Sequence, residues 1–117
     1  MKHIAKGKPV PFDFHGLKIT DFGPPQSDSA SLAVIDVPPG AKHPKARSTK
    51  SDKFYFCLEG PVSFVVEKQE VSLQTSDLLV ISKGEWFSYS NPADKQAKLL
   101  LVHVPPFDLN AEVIEGE

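Results

Sequence analysis

The sequence predicts an all-β fold, a sandwich or barrel of short antiparallel strands, on three observations. The apolar runs are short and separated by turn chemistry. Eleven prolines and seven glycines in 117 residues break the chain at close intervals. Polar and apolar residues alternate with period two in several places, and no stretch carries the longer period of an amphipathic helix.

Each element follows from local chemistry. Phe12-Asp13-Phe14 and Leu17-Lys18-Ile19 flank His15-Gly16, a hairpin with glycine at the bend. Gly23 to Ser29 (GPPQSDS) is a loop that no strand continues through. Leu32 to Val37 is a strand ended by Pro38-Pro39-Gly40, and Ala41 to Lys50 (AKHPKARSTK) reads as a solvated basic loop. Phe54 to Leu58 runs into the turn Glu59-Gly60-Pro61. Val62 to Val66 leads through the polar turn Glu67–Glu70 to Val71 and Leu73, which alternate with Ser72 and Gln74. Leu78 to Ile81 is a continuous apolar run. Beyond Ser82-Lys83-Gly84, Phe87, Tyr89 and Asn91 share one face, while Trp86, Ser88 and Ser90 share the other. Leu99 to Val104 is the last strong strand, stopped by Pro105-Pro106, and the acidic tail from Asp108 to Glu117 is read as helical or frayed.

Composition narrows the class. Hydrophobic residues make up 40% and charged residues 24%, the balance of a globular domain. A formal net charge of -2 gives no general attraction to nucleic acid or acidic membranes. The cluster Lys42, Lys45, Arg47, Lys50 and Lys53 lacks interleaved aromatics, so a nucleic-acid surface is not expected. Cys57 is the only cysteine, which excludes an intrachain disulfide and a multi-cysteine metal knuckle. The start MKHIAKGK has no apolar core of a secretory signal, and no run approaches the ~18 apolar residues of a membrane span. The expectation is a cytoplasmic single domain over 1–117, with N-terminal strands in 9–22, a core over 30–106 and an acidic tail at 107–117.

Gly40 and Gly60 frame the first half of that core, with the strand FYFCLEG running into Gly60. Gly84 and Asn91 sit within SDLLVISKGEWFSYSNP, and fifteen residues separate Gly60 from Ser76. This order and spacing resemble the paired motifs of the cupin superfamily, G-x5-H-x-H-x3or4-E-x6-G and G-x5-P-x-G-x2-H-x3-N. The resemblance implies a jelly-roll β-barrel in which three histidines and a glutamate hold a divalent metal. In this chain the glutamate position is Lys53, and the first-motif histidines fall on Ala46 and Ser48, or on Arg47 and Thr49 one residue later. The second-motif histidine position is Phe87, and Ser76 and Ser82 replace the glycine and proline of that motif. Lysine and arginine carry only donors and a positive charge, and phenylalanine has no lone pair. No metal cofactor is therefore expected at the family position. A relocated site from His43 and His103, with Cys57 or Asp36 as third donor, stays open as an alternative.

Alternation names the interior candidates. If Lys53 points inward, Tyr55 and Cys57 do so too, and Phe87, Tyr89 and Asn91 face them. Arg47 and His103 complete the candidate ligand-binding set. Duller readings stand beside this one: tyrosines that only fill the barrel, a Lys53 that snorkels to solvent, and Cys57 as a buried filler. No acid lies on the predicted face of Lys53, since Asp52 and Glu59 have the wrong parity, so a small carboxylate or phosphate ligand is expected to neutralise it. The leading function is a metal-free small-molecule-binding cupin with catalysis undecided. A metal-independent isomerase or epimerase, with His43 or His103 as base and Tyr55 or Tyr89 as acid, is one alternative. A metal-dependent cupin enzyme with relocated ligands and a structural dimer with a collapsed cavity are the others. The outward residues Phe54, Phe56, Leu58 and Trp86 predict a homodimer, with the N-terminal strands as the competing cover.

Overall fold

The alternating sequence closes into two facing antiparallel sheets in the computed structural model, which describes residues 1–22 and 28–117. The strands are β1 (Phe12–Phe14), β2 (Leu17–Asp21), β3 (Ser31–Val37), β4 (Lys42–Ser48), β5 (Asp52–Glu59) and β6 (Val62–Val66). They continue with β7 (Gln69–Leu73), β8 (Leu78–Ile81), β9 (Phe87–Ser90), β10 (Ala97–Val104) and β11 (Glu112–Ile114). The first sheet has the order β1-β2-β3-β10-β5-β8 and the second β11-β4-β9-β6-β7. No helix among the described residues is long and apolar enough to cross a membrane. Of the predicted loop Gly23 to Ser29, residues 23–27 lie outside the described ones.

Period two decides what is inside. Ala33, Ile35 and Val37 of β3, Leu99 and Leu101 of β10, and Tyr55 and Cys57 of β5 are buried from the first sheet. Val62 and Phe64 of β6, with Phe87 and Tyr89 of β9, are buried from the second. Each large apolar side chain so removed from water contributes roughly 1.5–3 kcal/mol. The β1–β2 bend is as the sequence predicts: His15 (φ 52) and Gly16 (φ 86) both take the left-handed conformation that a two-residue hairpin turn needs.

Two expectations are corrected. The basic segment read as a solvated loop is strand β4, because its neighbours β9 and β11 supply ladder partners on both sides. Its low apolar content hid it, since one of its faces is solvated. The tail is helical only over the 3-10 turn at Leu109–Ala111, which leads into β11, and β11 pairs with β4.

Gly60 shows where backbone meets backbone. Its N–H is held by Thr75 Oγ1 at 3.0 Å, and Cys57 and Ser76 are tied by a 2.7 Å backbone bond beside it. A Cβ here would lie 2.9 Å from Cys57 Sγ and 2.9 Å from the Leu73 carbonyl oxygen. The carbonyl belongs to the strand ladder and cannot swing away. Gly60→Ala is therefore expected to lower stability by roughly 1–3 kcal/mol. Gly7→Ala, where a Cβ meets open space, should stay within about 0.5 kcal/mol of wild type. Urea denaturation checks both, and equal midpoints for the two variants would refute the close approach at Gly60.

Candidate functional site

One end of the barrel interior is ionic. The β5–β10 register sets Lys53 opposite His103, and the β11–β4 register sets Glu112 opposite Ser48. The Lys53 ammonium donates to His103 Nε2 at 2.8 Å and to Glu112 Oε1 at 2.7 Å, and it lies 5.4 Å from the Phe87 ring centroid. The two side chains of this ion pair are 5% and 16% exposed. Burial pulls the Lys53 pKa down, and the Glu112 charge opposes that fall. Burial, and then the Lys53 charge, lower the His103 pKa to about 3. A neutral His103 that accepts at Nε2 carries its proton on Nδ1, a tautomer assigned from this bond.

The remainder of the interior is aromatic. Tyr89 lies 4.8 Å from Phe64 and 5.6 Å from Tyr55, centroid to centroid, and Tyr55 lies 6.0 Å from Phe87. His43 sits over this cluster, 5.0 Å from both Phe87 and Tyr89 and 5.3 Å from Phe14 of β1. His43 Nδ1 donates to the Pro44 carbonyl at 2.6 Å, which leaves Nε2 as an acceptor. Burial lowers the His43 pKa to about 4, with the Lys53 and His15 charges acting in the same direction and the Pro44 bond against it. Burial raises the pKa of both phenols; the Tyr89 phenol and the Glu112 charge push Tyr55 further. Both therefore stay protonated at neutral pH. Glu112 Oε2 is buried without a hydrogen-bond partner among the described residues; the Tyr89 hydroxyl is close enough to the Tyr55 phenol to have its pKa rise partly held down, but no bond of full hydrogen-bond geometry joins them.

A bulge puts His43 there. His43 pairs with Tyr89 and Ala46 with Phe87, so β4 spans three positions where β9 spans two. The extra residue turns both His43 and Ala46 inward, although simple alternation would put them on opposite faces. Pro44, which cannot donate to a ladder, marks the irregularity in sequence. The sequence names His43 only as a relocated metal ligand or a base and leaves Glu112 out altogether; the only local sign of β11 is the short run Glu112-Val113-Ile114.

The structure brings Lys53, Tyr55, Phe87, Tyr89 and His103 of the sequence-derived set into one cluster. It does not bring the other three to it. Arg47 points outward, its guanidinium 4.8 Å from the Trp86 ring centroid. Ala46 and Ser48 are therefore the inward pair of the two motif frames. The Cys57 thiol faces the Leu73 carbonyl at 3.7 Å, and burial raises its pKa. His103 is not its neighbour, because Leu99 is the residue opposite Cys57. The Asn91 amide donates to the Val37 and Lys95 carbonyls at 2.9 and 2.7 Å and accepts from Ala93 N–H, so both donors serve the backbone. The expected lack of an acid near Lys53 is also corrected: Glu112 arrives from the tail.

The donor set does not fit a divalent cation. The motif positions present one hydroxyl, one ammonium, one methyl and one phenyl ring, and among the described residues no three His, Cys, Asp or Glu side chains converge. A trough of about 470 Å³ lies on the second sheet, where Lys42, Ser63, Glu70, Ser72, Ser88 and Ser90 line it together with His43, Phe64 and Tyr89.

A model of the Cupin domain matches residues 33–103. Among curated proteins none matches this sequence. A Streptomyces Pac13 variant solved with uridine superposes with a TM-score of 0.86 at 18% identity, covering 97% of this chain and 90% of that one. Pac13 is described as a nucleoside dehydratase. The Schizosaccharomyces pombe Cnp3 cupin domain gives a TM-score of 0.76 at 16% identity, over 88% of this chain and 73% of that one. A Lactobacillus farciminis oxalate decarboxylase formate complex gives 0.83 at 18%, over 93% of this chain but only 34% of that one. Identities this low establish a shared fold and leave substrates separate. Two facing antiparallel sheets, together with a Cupin domain match that runs from β3 to the end of β10, make this chain a member of the cupin family.

Proposed function

We propose that this chain is a metal-independent small-molecule-binding cupin whose interior takes a neutral, hydroxyl-bearing ligand against His43. One observation carries the reading: the interior polar atoms with unused hydrogen-bonding capacity include Tyr89 OH, Glu112 Oε2 and His43 Nε2. Two acceptors and one hydroxyl call for a ligand that donates, because a buried acceptor left unpaired is costly. Alcohol groups donate. A carboxylate or phosphate brings only acceptors and would face the Glu112 charge. The anionic ligand expected from the sequence rested on an unpaired Lys53, and the Lys53–Glu112 bond removes that motive. His43 and Phe14 are only partly buried, so this side of the barrel is the way in. The neighbours support a nucleoside as the first ligand to try: Pac13 variants with one histidine or one tyrosine replaced were solved with uridine.

The same groups are equipped for proton transfer. His43 can take a proton at Nε2, and Tyr55 or Tyr89 can give one. Acid–base catalysis without a metal is thus the second reading, favoured by a neutral imidazole stacked within 5.0 Å of a protonated phenol ring. Turnover of a bound ligand separates it from binding alone.

Uridine and ribose are expected to raise the melting temperature of wild type and to do so less in Tyr89→Phe and His43→Gln, while citrate and inorganic phosphate leave it unchanged. Stabilisation by the anions and not by uridine would sink this assignment. Affinity should be flat from about pH 5 to 8 and fall below about 4, because protonation turns His43 Nε2 from acceptor to donor. The sign follows from a folded-state pKa lying below the ordinary 6.5. Calorimetric titration across that range checks it, and a midpoint near 6.5 would mean the imidazole is solvated.

We also propose that the chain pairs with a second copy through the outward face of the first sheet. Phe56 is flanked by Leu78 and Leu100, and Leu100 by Val34; Phe54 is flanked by Val80 and Val102, and Val102 by Leu32. These two apolar rows cross four strands, with Leu78 58% and Val80 45% exposed. The N-terminal strands do not cover them, since β1 and β2 extend the sheet at its β3 edge. The face ends on Lys18, Asp36, Lys98 and Glu59 in adjacent register, alternating charges that suit a two-fold copy. Trp86, grouped with this face from sequence, belongs to the other sheet beneath Lys45 and Arg47. Light scattering should give twice the chain mass for wild type and the chain mass for Val80→Glu. A wild-type monomer at tens of micromolar would refute the pairing.

A further inference from the structure

The C-terminal strand places one acid where the proposed ligand needs an acceptor. We infer that Glu112 is a ligand-positioning residue: Lys53 anchors it through Oε1, and Oε2 accepts a hydrogen bond from a hydroxyl of the bound ligand. This rests on the reading of the interior as a site for a neutral, hydroxyl-bearing molecule, and it names the group that distinguishes such molecules from their deoxy analogues.

The placement of Glu112 is fixed from both sides. Before it, Asp108 caps the 3-10 turn by accepting from Asn110 N–H at 3.0 Å, and Lys50 pairs with Asp108 at 3.3 Å. The Thr49 N–H donates to the Ala111 carbonyl at 2.8 Å. After it, Glu115 N–H donates to the Lys45 carbonyl at 2.9 Å. The polar inward side chain between these ties is Glu112, opposite Ser48, with Ile114 packed on the core two residues later.

Chemistry then separates its two oxygens. Oε1 accepts from the Lys53 ammonium at 2.7 Å, and a carboxylate carries only acceptors. Oε2 is buried and has no partner among the described residues. Lys53 also serves His103, and the His43 Nδ1 proton is on Pro44. The Glu112 charge reaches Tyr55, whose phenol it pushes further up, so carboxylate and phenol share one interior. A counter-ion for Lys53 alone would need only the first oxygen. The second is oriented by the same bond and is free for a donor from outside.

The test compares uridine with 2′-deoxyuridine and 3′-deoxyuridine by calorimetric titration. Wild type should bind one deoxy analogue at least about tenfold more weakly than uridine, as expected for a lost hydrogen bond to a charged group. In Glu112→Gln that gap should close, because an amide nitrogen can then stand at the Oε2 position. The double variant Lys53→Met/Glu112→Gln removes the uncompensated ammonium and keeps the comparison readable if the single variant folds poorly; its gap should close as well. A gap that persists in the variants, an absent gap in wild type, or equal weakening of all three ligands would overturn the role of Glu112 and leave the binding site standing. Wild type that binds none of the three would overturn the site and this inference together.

Discussion

A buried ammonium needs a counter-charge, and most of the interior answers to that constraint. Stripping water from Lys53 costs several kcal/mol unless fixed partners replace the hydration. Glu112 supplies the charge at 2.7 Å and His103 a lone pair at 2.8 Å. The tail is thereby held against β4, and His103 is held neutral with its proton on Nδ1. Removing either acid or base would leave a charge in a medium that solvates it poorly, the situation in which single substitutions are most destructive.

The same pair decides what chemistry the barrel can host. An ammonium at the position where cupin motifs place a glutamate repels a cation, and Phe87 removes a further ligand. Yet the Lys53–Glu112 pair carries no net charge, so the interior does not attract an anion either. What remains is a hydrogen-bonding surface of a hydroxyl, an imidazole nitrogen and a carboxylate oxygen on an aromatic wall. On the reading proposed above, that combination is the one a polar neutral molecule with flat or hydroxyl-rich groups would meet.

Precision at the mouth comes from an irregularity. Without the bulge between His43 and Ala46, one of these residues would face solvent. With it, the imidazole packs at a tilt against Phe87 and Tyr89 while Ala46 stays inside beside Ile114. Pro44 provides both the break in the ladder and the carbonyl that fixes the His43 tautomer. Position and protonation state thus share one local cause.

The sequence by itself determined the apolar strands and their faces, but neither β4 nor β11. Alternation in Lys53-Tyr55-Cys57 and Phe87-Tyr89-Asn91 reports burial directly, because a strand residue faces either core or solvent and its neighbour the other. The glycine spacing and the exchanged motif residues were likewise legible, since turns and metal ligands are matters of residue type. Tertiary structure decided what long-range pairing controls. Glu112 meets Lys53 across 59 residues of chain, and nothing local in an acidic tail announces a strand that exists only because β4 offers it an edge. Parity could place Asn91 and Cys57 inward but not show that backbone carbonyls take their donors. His43 falls in a stretch that reads as a solvated loop, and only the pairing of β4 with β9, with its bulge, turns it inward. Local pattern fixes which way a side chain points, and only the assembled sheets fix what it points at.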